Sequence, residues 1–184
     1  VCSSDLRNVR DDVGRSASFR ILLFSDEFRW RINSYRQLES TDAPAFTDAM
    51  KAVLNDAEEV ICVGTSSEEM PAGASMEAGV ASEEWRAARR AEQIAVWVRS
   101  ALQKPTPIRK LNAGFHTPTT AGRPSDTSDQ RRVVIILVLD HDEGTNIDEA
   151  LRTAMQREHD RAPIFETLLT RYSLAKGADF RWVP

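Results

Sequence analysis

The densest run of chemically able side chains is Leu139-Asp140-His141-Asp142-Glu143-Gly144-Thr145, in which acidic groups directly follow a hydrophobic stretch. Carboxylates at the carboxyl end of a strand stand where α/β sheets often bind ligands. A calcium loop is excluded by count, because the twelfth position from Asp140 is Leu151 where a bidentate glutamate is required. The plainer reading is a turn in which Thr145 or Asn146 caps a following helix, with Asp148 and Glu149 favourably placed in its first turn. A second group is Ser66, Ser67, Glu68 and Glu69, just after the apolar run 60–64, together with Arg90, Gln130 and Arg131 further on. Arginine offers a planar fork of donors matched to a carboxylate, and a glutamate can accept from an ammonium. Each also has a bland reading: Arg90 lies along a helix flank covering apolar surface, the glutamates are a solvated loop tip, the serines form turns, and Arg131 and Arg132 mark a strand entrance beside Asp129. His116, His141 and His159 share no ligand spacing with Cys62, so no metal site is expected. Cys62 alternates with Ile61 and Val63 and reads as a small buried hydrophobe rather than a reactive thiol.

The elements that must carry these residues are legible from periodicity. A short strand is expected at 19–24, which 29–32 continues or pairs with. Thr41, Asp42 and Pro44 form a helix-start pattern, followed by Phe46, Met50, Val53, Leu54 and Ala57 on one face. Residues 60–64 are a β-branched run expected as a buried, central strand. A Ser-, Glu-, Pro- and Gly-containing loop leads to a long amphipathic helix at 76–103, ended by Pro105 and Pro107. Its apolar face is Ala91, Ile94, Ala95, Val98, Ala101 and Leu102, with Arg90 at the margin. A third strand is expected at 108–115, a turn-rich linker at 116–130, and the strongest strand at 132–139, in the middle of the sheet. Two helical patterns follow, the second including Phe165, Leu169 and Tyr172, with Gly177 as its C-cap.

The chain has 184 residues, of which 41% are hydrophobic, enough for one globular domain with a sizeable core. A net charge of −4 provides no broad basic surface, which argues against nucleic acid as the main partner. No apolar run approaches the roughly 20 residues of a membrane span. Val-Cys-Ser-Ser-Asp-Leu at 1–6 resembles the translation of a sequencing adapter fused to a gene fragment, so 1–18 is expected to be an artefact followed by a disordered leader. The expected division is 1–18, an α/β domain at 19–140, and a helical extension at 141–184. Strands alternating with helices require crossovers, giving a two-layer α/β (α+β) sandwich with a mixed sheet.

Four segments in this order resemble the OmpA-like C-terminal domain, the peptidoglycan-associating module of bacterial envelope proteins: Val60-Ile61-Cys62-Val63-Gly64, Arg90-Ala91-Glu92-Gln93-Ile94, residues 114–118, and Asp129-Gln130-Arg131-Arg132-Val133. The resemblance spans about residues 19–139 and implies a βαβαββ order, a periplasmic or cell-envelope location, and recognition of the diaminopimelate zwitterion. It places Arg90 on the family's arginine. The family's loop aspartate is Ser67 here, so Glu68 or Glu69 would have to supply the carboxylate, and the asparagine before Arg-Arg is Gln130. The acidic run at 139–145 also resembles the Asp-x-Asp-Gly-Thr motif of haloacid-dehalogenase-type phosphotransferases, with Glu143 breaking its spacing.

No nucleophile elbow, Walker loop, dinucleotide fingerprint or His-Glu-x-x-His run occurs. The expectation is therefore a non-enzymatic domain without cofactor that binds peptidoglycan non-covalently through Arg90, Ser67, Glu68, Glu69, Gln130 and Arg131. The alternatives are a degenerate copy of that fold contacting another envelope protein, and a magnesium-dependent phosphotransferase at Asp140 and Asp142.

Overall fold

The computed structural model describes residues 1–25, 28–69, 73–117, 127–157, 172–174 and 181–184. In chain order these form β1 (Cys2–Arg10), β2 (Ser16–Leu23), α1 (Asp48–Asp56), β3 (Glu59–Ser66), α2 (Met76–Ala101), β4 (Ile108–Phe115), a 3-10 turn (Ser128–Arg131), β5 (Val134–His141), α3 (Ile147–Arg157) and β6 (Arg181–Val183). The run from β2 to β5 has the expected βαβαββ order. The six strands lie in one mixed sheet, in the order β1-β2-β5-β3-β4-β6, and β3 and β4 are the parallel pair bridged by α2.

Period-two alternation divides the apolar side chains between the two faces of the sheet. Val60 and Cys62 of β3, with Ile135 and Leu137 of β5, pack with Leu54 of α1 and Ile94, Trp97 and Val98 of α2. Ile61, Val63, Ile136 and Val138 belong to the other face, where Ile147, Ala150 and Leu151 of α3 join Phe19 and Ile21. This is the expected α/β sandwich of sheet and helices, with α3 added from the C-terminal segment. Every residue of β3 is buried, as its continuous apolar pattern implies for a central strand.

Several boundaries differ from the sequence expectation. Residues 2–10 form a strand where a disordered leader was expected: β1 pairs antiparallel with β2, Leu6 enters the core, and Arg20 grips Asp5 with two bonds of 2.6 and 2.7 Å. The bulge between Leu6 and Val9 places Asn8 at φ 55°, a conformation asparagine tolerates. Helix α1 starts at Asp48 rather than near Pro44, because Thr47 is its N-cap, accepting from Met50 N at 3.3 Å. Phe46 stays outside the helix and meets Phe24 edge-on. Residues 29–32 do not extend the sheet. Trp30 bridges to Leu38 and donates its amide to Arg131 O, and its indole stacks on Trp97 at 5.2 Å. The extension expected to be helical includes α3 but also β6, which pairs with β4. Tyr172 is in a β-bridge with His116 rather than in a helix. The rest of the second helical pattern and Gly177 lie outside the described residues, as does His159.

The closest approach of helix to sheet occurs at Gly64. A Cβ there would lie 1.8 Å from Ala87 O and 2.7 Å from Ala91 N. Glycine lets α2 sit directly on β3 and so fixes where Arg90, between those two alanines, emerges.

Candidate functional site

The carboxyl end of β3 gathers an unusual density of buried polar side chains. Thr65, Ser66, Ser67 and Glu68 are buried in succession, as are Glu83 and Arg90 of α2, His116 after β4 and Arg131 before β5. Local bonds organise the end of the strand: Ser66 Oγ donates to Glu83 O at 3.0 Å, and Asn112 donates to Glu84 O at 2.9 Å. β3 and β4 are thereby held to the first half of α2.

Arg90 is not marginal. It is 1% exposed, because the buried face of α2 continues N-terminally through Ala87, Glu83 and Gly79. Its Nε donates to Ser34 O at 2.9 Å, Nη1 to Thr65 O at 2.8 Å and Nη2 to Arg31 O at 3.5 Å, and the guanidinium lies 5.2 Å over the Trp30 ring. Burial pulls its ionisation down to about 9, helped by the Arg86 and Arg131 charges and opposed by Glu83. The loop 31–37 thus directs two backbone carbonyls, of Ser34 and Arg31, at the guanidinium.

The two candidate glutamates differ in role. Glu69 is half-buried and accepts from the Thr127 hydroxyl. Glu68 points inward, with its side chain 4% exposed. Its amide donates to Gln130 Oε1 at 3.0 Å, and its Oε2 lies 3.7 Å from His116 Nδ1. Its Oε1 has no hydrogen-bond partner among the described residues. Ser67 is buried beside it. The backbone carbonyl of Gln130 accepts from the Tyr172 hydroxyl at 2.9 Å, while its side chain, one methylene longer than asparagine, serves the Glu68 amide. Arg131 is buried and bonds Trp30 O at 2.6 Å and Glu39 Oε1 at 2.5 Å, which fastens the loop 30–39 to the entrance of β5.

Sequence reasoning missed His116 and Tyr172. They meet edge-to-face at 5.5 Å, and burial pushes the Tyr172 phenol up to about 12 against the pull of Thr65 and Arg90. The structure therefore brings Arg90, Ser67, Glu68 and Gln130 to one end of the sheet and turns Glu69 and Arg131 toward partners of their own.

Of the run at 139–145, Leu139, Asp140 and His141 end β5 and residues 142–145 form the expected turn. Asp142 Oδ2 accepts from Ser16 N at 2.7 Å and Ser16 Oγ at 3.0 Å, while Asp140 accepts from Ser18 at 3.2 Å. Asn146 caps α3, accepting from Glu149 N at 3.3 Å. Asp11 joins this corner from the β1–β2 turn, accepting from the Arg15 and Asn146 amides. Among the described residues, no helix is long and apolar enough to cross a membrane.

No family model matches this chain, and no curated protein matches it. Among solved structures, it is similar to the cell wall anchor of the type VI secretion system from Pseudomonas aeruginosa, with 16% identity and a TM-score of 0.34 over 71% of this chain and 86% of that one.

Proposed function

We propose that this chain is a non-catalytic cell-envelope domain that holds peptidoglycan non-covalently, recognising the diaminopimelate end of a stem peptide at the carboxyl end of β3. The observation that carries this reading is Glu68, a buried carboxylate with one oxygen unpartnered among the described residues. Such an oxygen costs desolvation that no donor among the described residues offsets, and a ligand ammonium would supply the missing bonds. Arg90 would supply the complementary half. A ligand carboxylate exchanged for the Ser34 and Arg31 carbonyls would meet the same donors with opposite charge, which strengthens the bonds. The sequence resemblance supports the same ligand.

Titration calorimetry with a synthetic stem peptide ending in diaminopimelate, beside the same peptide ending in lysine, tests this reading. The lysine peptide lacks the carboxylate that Arg90 would hold. Binding of the first at least about tenfold tighter than the second, weakened in Glu68→Gln, is expected. Equal binding, or none by the folded protein, overturns it. One observation favours a second reading, a fold of this type used for contacts with another envelope protein: the donors of Arg90 are already met by its own backbone. That reading predicts no stem-peptide binding.

A further inference from the structure

The outer flank of α2 carries a groove that the end of β3 does not use. It encloses about 300 Å3 and is lined chiefly by Tyr35, Arg36, Trp85, Arg89, Glu92 and Gln93. Trp85 is 51% exposed, an expensive position for an indole unless something covers it. The ring is held in place. Tyr35 meets it edge-on at 5.3 Å, and Arg89 lies over it at 5.5 Å while tied to Glu92 at 2.7 Å. Arg36 in turn lies over Tyr35 at 5.3 Å.

This groove is one part of a track. A second depression, along 31–37, shares Tyr35 and Arg36 with it. A third, reaching Arg99 and Lys110, shares Glu92 and Val96. Cationic side chains recur along its whole length, so a long occupant bearing anionic groups is favoured over a compact one. An apolar partner helix would desolvate those charges and offer them nothing in return. A pyranose ring instead presents a face of weakly positive C–H groups that matches the negative face of an indole, and a rim of hydroxyl and amide groups for Gln93, Glu92 and arginine.

We propose that this track is a saccharide subsite, taking an N-acetylated glycan strand that stacks on Trp85 and whose lactyl carboxylates, free where stem peptides have been removed, meet the cationic side chains. The proposal deepens the peptidoglycan reading and rests on it, since the glycan and the stem peptide are parts of one polymer. The loop 31–37 links the two places: Ser34 and Arg31 reach Arg90 with their carbonyls, while Tyr35 and Arg36 line the groove.

The test uses the full chain and two probes, peptidoglycan glycan strands stripped of stem peptides by an amidase and the isolated stem peptide. Tryptophan fluorescence and calorimetry should show the stripped strands binding the wild type. Trp85→Ala should weaken that binding by about tenfold or more, Trp85→Phe should retain most of it, and Arg36→Ala should weaken it. None of these substitutions should alter stem-peptide binding. Glycan binding that persists while the stem peptide fails to bind supports the groove and overturns only the site at Glu68. Absence of glycan binding by the folded wild type, or equal binding by Trp85→Ala, overturns the proposal whatever the stem peptide does.

Discussion

Replacing Gly64 with alanine inserts a methyl group 1.8 Å from Ala87 O and 2.7 Å from Ala91 N. Both obstacles are helix backbone, so no rotamer change relieves them. An ordinary carbon–oxygen contact is about 3.3 Å, so α2 must recede from β3 by roughly 1.5 Å. Overpacking in a closed core costs about 1–3 kcal/mol, and the upper end applies because α2 moves as one 26-residue rod. For a chain of this size, about 3 kcal/mol corresponds to a fall in Tm of about 6–12 °C. The same shift separates Arg90 Nη1 from Thr65 O, now at 2.8 Å, and loosens the loop 31–37 that Arg90 holds. Differential scanning calorimetry gives the first readout, and amide exchange across 30–38 the second. A Tm within about 2 °C of wild type, with unchanged exchange, would refute the view that contact at Gly64 sets the position of α2.

Arg90→Ala should cost about 2–4 kcal/mol by urea unfolding, since it strands three carbonyls and removes the cation over Trp30, and Arg90→Lys should recover little. Unaltered amide protection at 30–38 in Arg90→Ala would contradict that role. At the corner joining the β1–β2 turn to α3, burial pushes the Asp11 carboxyl up, but the Asn146 and Arg15 bonds outweigh it and hold it below its ordinary value. The Ser16 amide and hydroxyl hold Asp142 low in the same way. Carboxyls depressed in the folded state contribute stability that is fully present above their ordinary value and is lost as pH falls through the lowered one. Thermal melts below about pH 4 should therefore show a decline that is smaller in Asp142→Asn, and an identical acid limb in that variant would count against the corner. Cys62 is fully buried, and desolvation pushes its thiol up despite Arg99 and Lys110, so a thiol reagent should label it only on unfolding. Labelling at Cys62 itself in the native protein at the rate of a free peptide thiol, measured in a Cys2→Ser background, would contradict this.

Much of the framework was legible because it is encoded locally. The β-branched run of β3, the continuous apolar stretch of β5 and the period of α2, capped by Ser75, each announce their element over a few residues. The first strand was foreshortened and β1 missed, because Leu6 and Val9 alternate weakly among polar residues and gain order only by pairing with β2. Among site residues, Arg90 and Glu68 could be named from type and position, but not their burial. An arginine scores as polar in any periodicity count, and only the alanines at 87 and 91, packed on Gly64, reveal that its face is the inner one. The choice between Glu68 and Glu69 depended on Thr127 and His116, which are distant in sequence. Tyr172 reads as helical core in sequence and reaches the site only through its bridge to His116. The i, i+4 spacing of Trp85 and Arg89 was the one local sign of the groove, and it becomes informative only when Tyr35 arrives from the loop after β2.

In the reading proposed above, Glu68 completes a recess for peptidoglycan at the end of β3. Co-sedimentation of the full chain with insoluble diaminopimelate-type peptidoglycan, beside a Glu68→Gln variant shown to be folded, tests it most directly. Saturable binding by the wild type and a loss of about tenfold or more in affinity in the variant are expected. A folded wild type that stays in the supernatant, or a variant that sediments as the wild type does, would contradict it.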